Sequence, residues 1–394
     1  QPQVLNVPGT SLSSALGSPA AIAANFRNED DVNSEETWSG RIAARCVPND
    51  AIDLNLTYYF QNQDVGGRQS SSSRLTNLPV SFGEYESALR VLEPSERDNQ
   101  LVALEATFDL GFAELTSATS YAKYSQRSQR DQTDLAIELG FGYEFFPGLV
   151  DFTDERVDEK RINQEVRLVS KVEGPFSWTA GAFYNEFKRT VDYVEFTPGL
   201  HEFFNFAVGD DRDYLSIDRS KRSEYALYGE FSYQFSDAWT VTLGGRYSKD
   251  KKRGDLYRVN NVASSFPFAF SYGRFDPLAI LAWDATEGVN LYAKYSTGYR
   301  AGGASSRSIN FATFGPESVQ SYEAGIKTDL FDRKVRLNIA GYMMNRKNSQ
   351  FDFDFYLVQT NGQVRHTLET VNAPSATKIR GIEADLTVRP TDEL

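Results

Sequence analysis

The sequence predicts an all-β chain, an antiparallel up-and-down transmembrane β-barrel. Three observations carry that expectation: a period-two alternation of apolar and polar residues that recurs along the chain, connections sorted into tight turns and long polar loops, and aromatic residues gathered beside the tight turns.

The alternation is clearest where Ile52, Leu54, Leu56, Tyr58 and Phe60 share one face of an extended segment. It returns at Val102, Leu104, Ala106 and Phe108, at Ile162, Val166 and Leu168, and at Tyr225, Leu227, Phe231, Tyr233 and Phe235. Later it runs through Trp239, Val241, Leu243 and Tyr247, through Val289, Leu291, Ala293 and Tyr295, and through Val335, Leu337, Ile339 and Met343, ending at Ile382, Ala384, Leu386 and Val388. About 13 strands are counted this way, with residues 112–126 and 274–284 ambiguous in phase. Many exceed the 9 to 11 residues that cross a bilayer, so their ends are expected to project beyond it. The opposite face is polar: Asp53, Asn55 and Thr57; Arg161, Asn163, Glu165 and Arg167; Gly381, Glu383, Asp385 and Thr387.

A soluble β-sandwich also alternates, so the connections decide. Tight turns fall at Pro48-Asn49-Asp50, Asp109-Leu110-Gly111, Glu173-Gly174-Pro175, Ser236-Asp237-Ala238, residues 284–288 and Phe331-Asp332-Arg333. Between them lie polar loops at about 62–98, 130–159, 192–220, 251–273, 302–317 and 350–376. An outer-membrane barrel requires such sorting, with short periplasmic turns and long extracellular loops, whereas a sandwich has no reason for it. Trp178, Trp239 and Trp283 lie within a few residues of tight turns, as do Phe108, Phe112, Phe176, Phe235 and Phe331, which reads as an aromatic girdle at a membrane interface.

Composition agrees. Of 394 residues 13% are aromatic, a bias that suits pleated, half-buried surfaces. No run approaches the roughly 18 apolar residues of a membrane-spanning helix. The mean hydropathy of −0.46 hides a barrel, because alternate residues face a wet lumen. A net charge of −13 argues against nucleic acid as a partner. The single cysteine, Cys46, excludes a disulfide framework and reads as a small apolar residue on the apolar face of a strand. The chain opens on Gln1-Pro2-Gln3-Val4 without a convincing signal peptide, so the true beginning of an exported protein is expected to be missing.

Chemistry is sparse. There is no phosphate-binding glycine loop, paired-histidine metal motif or nucleophile elbow. His201 and His366 lie in separate loops and read as solvated residues. No catalytic residue, resident metal or cofactor is expected, and the chain is read as not an enzyme. Two long loops carry aromatic residues beside charge: Phe141 and Tyr143 with Phe145 and Phe146, and His201, Phe203, Phe204 and Phe206 with Arg212. Rings that stack on flat chelators and an arginine that pairs with anionic groups make Phe141, Tyr143, His201, Phe203, Phe204 and Arg212 candidate ligand contacts. Loop-on-loop packing is the competing reading.

Several runs resemble the barrel of TonB-dependent receptors, in that family's order: residues 115–121, 163–170, 178–184 and 243–250 (LGGRYSKD), then 292–303 (YAKYSTGYRAGG), the most specific, then 317–328 and 381–385. The resemblance covers about residues 37 to 390. It implies a bacterial outer-membrane location and energy-coupled import, in which loops capture a nutrient and TonB rearranges a plug inside the barrel. The lumen residues Asp53, Asn55, Arg161, Arg167, Arg246 and Glu383 would give the ligand a hydrophilic track, with Arg161, Arg167 and Arg246 added to the ligand-binding candidates. Family analogy favours a ferric siderophore, with cobalamin and oligosaccharides behind it. The departures are an absent plug, an absent TonB-contact segment, no terminal aromatic strand, and an incomplete barrel of about 13 of 22 strands. Residues 1–36 are accordingly expected to be a loop or partial strand and residues 37–394 a partial barrel domain, meeting TonB through the missing N-terminal part and outer-membrane lipid through the wall. A passive porin-like channel, or a secreted glycan-binding β-sandwich or adhesin, are the competing classes.

Overall fold

The computed structural model describes residues 29–71, 85–86, 89, 91–133, 150–197, 212–260, 262–305, 313–358 and 364–389. Among the described residues seventeen strands follow one another: β1 (Glu35–Asn49), β2 (Ile52–Val65), β3 (Ser95–Asp109), β4 (Ala113–Asp131), β5 (Phe152–Ser170), β6 (Phe176–Phe196), β7 (Arg212–Ser236), β8 (Trp239–Asn260), β9 (Val262–Thr286), β10 (Val289–Arg300), β11 (Gly303–Ala304), β12 (Thr313–Phe314), β13 (Glu317–Leu330), β14 (Val335–Lys347), β15 (Gln350–Val358), β16 (Val364–Asn372) and β17 (Thr377–Val388). Thirteen form one antiparallel meander, from β1 through β10 to β13, β14 and β17. The pairs β11–β12 and β15–β16 are separate two-stranded ribbons inside the two last long connections. Among the described residues β1 and β17 do not pair, so the sheet is not closed, as expected for an incomplete barrel.

Register settles which residues share a face. Ile42, Tyr58, Val102, Tyr121 and Ile162 oppose one another across β1 to β5, and Tyr233, Val241, Leu281, Ala293, Ala324, Gly341 and Ile382 do so across β7 to β17. These apolar rows are not buried. Ile42 is 68% exposed, Leu227 66% and Ile382 80%. In a sandwich such rows would pack against a second sheet; here no second sheet or helix layer covers them among the described residues, which is the condition a lipid-facing wall satisfies. Cys46 belongs to this outer face, opposite Leu54, and is exposed.

The two ambiguous segments resolve cleanly. In β4 the outer face is Leu115, Ser117, Thr119 and Tyr121. Its two hydroxyls blurred the pattern, and both are satisfied by Gln164 of β5: Thr119 donates to its carbonyl oxygen, and its amide donates to Ser117 at 3.0 Å. In β9 the outer face is Phe275, Pro277, Ala279, Leu281 and Trp283.

One expectation is corrected outright. Within residues 251–273, read as a polar loop, 251–260 and 262–273 are strand: β8 and β9 stay paired up to Asn260 opposite Val262. Likewise β5 begins at Phe152 and β6 ends at Phe196, well inside the loops expected at 130–159 and 192–220. Polarity was mistaken for irregularity. A strand that projects beyond lipid is wet on its outer face, so it loses the apolar half of its alternation and keeps its backbone ladder.

Glycines opposite rings shape the wall. Gly181 faces Tyr228, Gly325 faces Tyr292, Gly381 faces Tyr342 and Gly254 faces Phe268 across adjacent strands, and in each case the ring lies over the glycine where a Cβ would collide with it. At the turn end Trp239 and Trp283 stack at 5.4 Å with an interplanar angle of 7°, and Phe235 stacks on Trp239 at 6.3 Å, building the expected girdle. The turn into β10 depends on Gly288, whose φ is 75° and whose carbonyl accepts from the Asp329 amide at 2.7 Å. An added Cβ there would strike the Asp329 carbonyl. Gly288→Ala is therefore expected to destabilise the barrel by about 1–3 kcal/mol, read in the full-length protein as a lower urea midpoint and weaker heat-modifiable migration on gels.

Candidate functional site

The polar rows opposite the lipid face form the inner wall, and their side chains are linked. Tyr228 (β7) donates to Glu165 (β5). Its ring and that of Phe183 (β6) lie under the Arg246 guanidinium, 5.7 Å and 5.3 Å from the ring centroids. Arg246 (β8) donates to Ser248 at 3.1 Å and pairs with Glu224 (β7) at 3.4 Å. Arg222 lies 3.8 Å from the same Glu224 and donates to Asp250 at 2.7 Å. Asp250 also accepts from Tyr299 of β10 at 2.6 Å. The result is a belt from β5 to β10 in which carboxylates and guanidiniums alternate.

Tyr299 reaches the belt because β10 parts from β9. Pairing between them ends at Ser296 opposite Leu278, while β10 stays paired with β13 to Arg300. Thr297 then donates to Asp276 at 2.8 Å, and Arg274 donates to the same carboxylate at 2.8 Å. The rim above is tied by Glu317, which takes Arg346 at 2.9 Å and the Gln350 amide at 2.8 Å; the Gln350 side chain in turn donates to the carbonyls of Ala301 and Gly315. Burial pushes the Glu317 carboxyl up, but the Gln350 amide and Arg346 outweigh it and hold it below the ordinary value.

Higher on the inner wall, beyond the length that crosses a bilayer, burial pushes the Asp218 carboxyl up and the Lys252 ammonium down, each partly restored by attraction to the other. Asp218 Oδ1 is buried without a hydrogen-bond partner. Arg189 adds a third charge, pairing with Glu159 at 3.0 Å.

Of the sequence candidates, Arg161, Arg167 and Arg246 stand on this inner face, but apart. Arg161 lies 4.8 Å from the Phe187 ring centroid, on a cavity of about 760 Å³ whose wall also carries Tyr59, Gln61, Tyr124 and Glu159. Arg167 is exposed, opposite Thr116 and Gly181. Only Arg246 is in the belt. Asp53 is held by Arg45 at 2.6 Å. Arg212 opens β7 opposite Phe196 and is exposed. Phe141, Tyr143, His201, Phe203 and Phe204 lie outside the described residues. Sequence reasoning passed over Arg222, Glu224, Asp250 and Tyr299; the available signal was that Asp250 and Tyr299 close or occupy the runs 243–250 and 292–303.

A charge-alternating belt lies on one face of a wall whose other, apolar face is bare, and a family model accounts for both. The model "TonB dependent receptor-like, beta-barrel" matches residues 38–391. The chain belongs to that family. Barrels of this family stand in the bacterial outer membrane, and the family is one of transport receptors. A metal-pseudopaline receptor, CntO of Pseudomonas aeruginosa, is 27% identical over 140 residues, which is 35% of this chain and 19% of that protein. Among solved structures, the ferric yersiniabactin uptake receptor FyuA of Yersinia pestis superposes with a TM-score of 0.63 at 12% identity, covering 90% of this chain and 52% of that one. The copper transporter OprC gives 0.64 at 11% identity, covering 91% and 51%. This receptor barrel therefore spans about half the length of the solved relatives it matches.

Two outcomes follow for the full-length receptor. Asp250→Ala strands Arg222 and Tyr299 and is expected to cost about 1–3 kcal/mol in chemical unfolding. Asp218→Asn is expected to raise stability at neutral pH. A carboxyl whose folded value is raised contributes stability that is present at low pH and lost as pH rises through that value, so the advantage of the variant should shrink on acidification, as read by thermal unfolding across a pH series.

Proposed function

We propose that the intact protein is an energy-coupled importer of a scarce nutrient across the outer membrane, driven by TonB, with a ferric siderophore or related metal chelate as its substrate class. The observation that carries this reading is the family match over nearly the whole chain, on a wall that is apolar outside and charge-alternating inside. A belt of paired opposite charges offers a passing ligand exchangeable hydrogen bonds without a deep electrostatic trap, which suits passage better than storage. The names of the relatives, receptors or transporters for metal chelates and copper, support the metal-chelate class over cobalamin and oligosaccharides.

In this reading residues 37–394 are part of the barrel domain and residues 1–36 precede it, with the plug and the TonB-contact segment belonging to the intact protein. Arg161, Arg167 and Arg246 face the ligand in transit, and the loop residues Phe141, Tyr143, His201, Phe203, Phe204 and Arg212 contact it at the mouth.

Growth and metal uptake of a gene-deletion strain on individual chelates tests the proposal. Loss of uptake of one chelate class, with wild-type uptake abolished by removing TonB, is the expected result. Wild-type uptake of every chelate by the deletion strain would overturn the metal-chelate reading, and uptake that persists without TonB would favour a passive channel.

A further inference from the structure

The upper half of β9 has one open edge. β8 and β9 keep a one-to-one register from Trp239 opposite Trp283 to Asn260 opposite Val262, without a bulge. At the turn end the Asp284 amide donates to the Ala238 carbonyl at 2.8 Å, so even-numbered residues of β9 turn their backbone groups toward β8. Odd-numbered residues therefore turn theirs toward the other side. From Leu278 down, that side is paired with β10; above Leu278 it meets no strand among the described residues. Pro267 and Pro277 are both odd, in agreement, because a proline fits a ladder only where its missing N–H faces the open side. Between them Ala269, Ser271, Gly273 and Phe275 present four successive amides along the open edge.

Leu278 is the ninth residue of β9 from its short turn, and 9 to 11 tilted residues cross the hydrocarbon, so the open stretch stands in water on the extracellular side. β10 does not return to cover it. Tyr299 reaches Asp250 of β8, and Gly302 lies against the Tyr272 hydroxyl, so the chain after Ser296 crosses the inner face of β9 instead of running beside it. An exposed edge is ordinarily guarded by charges, prolines or bulges. Here the prolines stand only at the limits of the four-amide run, and no residue from Val262 to Gly273 is charged.

We infer that this edge takes an extended polypeptide as an added strand, with acidic residues on its outer face and apolar residues on its inner face. Main-chain hydrogen bonds supply affinity in such an addition, and alternate side chains supply selectivity. On the outer face Ala269, Ser271 and Gly273 are small and exposed, and they stand opposite Arg253, Lys251 and Lys249 of β8. None of these cations makes an ion pair among the described residues. Lys249 leans across Gly273, its Nζ 3.7 Å from the place of an added Cβ. An added strand lies two strand spacings, about 9.5 Å, from β8, so a glutamate on it can meet Lys249 over the glycine. On the inner face Phe268 stacks on Phe270 at 5.7 Å and Phe270 on Tyr272 at 6.4 Å, a surface suited to apolar cross-strand neighbours. A second receptor in the same membrane presents its own β9 pointing the same way, which rules out the antiparallel pairing of a symmetric sheet dimer. The inference is independent of what the receptor imports.

The test uses the full-length receptor in phosphatidylcholine nanodiscs and a fluorescein-labelled peptide of about eight residues that alternates Glu with Val. Bound peptide is expected to slow hydrogen exchange at Ala269, Ser271, Gly273 and Phe275. S271P removes one of those amides at a position of the same parity as the native prolines, so it should keep wild-type heat-modifiable migration yet bind the peptide about tenfold or more weakly by fluorescence anisotropy. With the wild-type receptor, a peptide N-methylated at every backbone amide, or one alternating Lys with Val, should lose affinity by a similar factor. Undiminished binding by S271P or of the N-methylated peptide would overturn strand addition at this edge. Equal binding of the Lys peptide would overturn the acidic preference, and a Glu peptide that neither binds nor slows exchange would overturn the site.

Discussion

Hydrocarbon cannot hydrogen-bond, so every backbone amide and carbonyl of a membrane wall must find its partner along a neighbouring strand. That requirement outranks side-chain preference throughout this molecule. It explains why β4 holds an unbroken ladder through Ser117 and Thr119, whose hydroxyls are then satisfied laterally by Gln164. Beyond the membrane water could satisfy the same groups, yet β8 and β9 remain paired to within one residue of each other. Once the ladder is laid down, the two faces are assigned by pleat alone, and the solvent on each side selects their residues.

Those two solvents produce two kinds of electrostatics from one sheet. Inside, opposite charges interleave: Glu165, Arg246, Glu224, Arg222 and Asp250 alternate in sign, with Tyr228 and Tyr299 bridging strands that are not neighbours. Outside, cations line up with little compensation. The same pairing rule that lets the inner belt cancel itself sets Lys123, Lys160, Lys188, Lys221 and Arg253 opposite one another on the outer face of β4 to β8, where Glu186 answers two of them.

The sequence revealed the fold wherever one face met lipid. Ile52 to Phe60 and Trp239 to Tyr247 announce their strands because lipid demands apolar residues at every second place. It failed where both faces are wet: Lys251 to Asn260 has strand geometry and loop chemistry, and only register with Val262 to Ser271 identifies it. The inner wall was half legible. Alternation placed Arg161, Arg167 and Arg246 on the polar face, yet period two says nothing of which polar residues meet across strands. The contact of Asp250 with Tyr299 depends on β10 leaving β9 at Ser296, a departure no local pattern encodes.

The glycine-ring pairs have a consequence for calibre. Because Tyr228, Tyr292 and Tyr342 recline over Gly181, Gly325 and Gly381, the free width of the bore there is bounded by backbone and ring thickness instead of by upright side chains. Any larger residue at one of these glycines would tip its ring toward the axis and act as a constriction at a distance from the substitution itself.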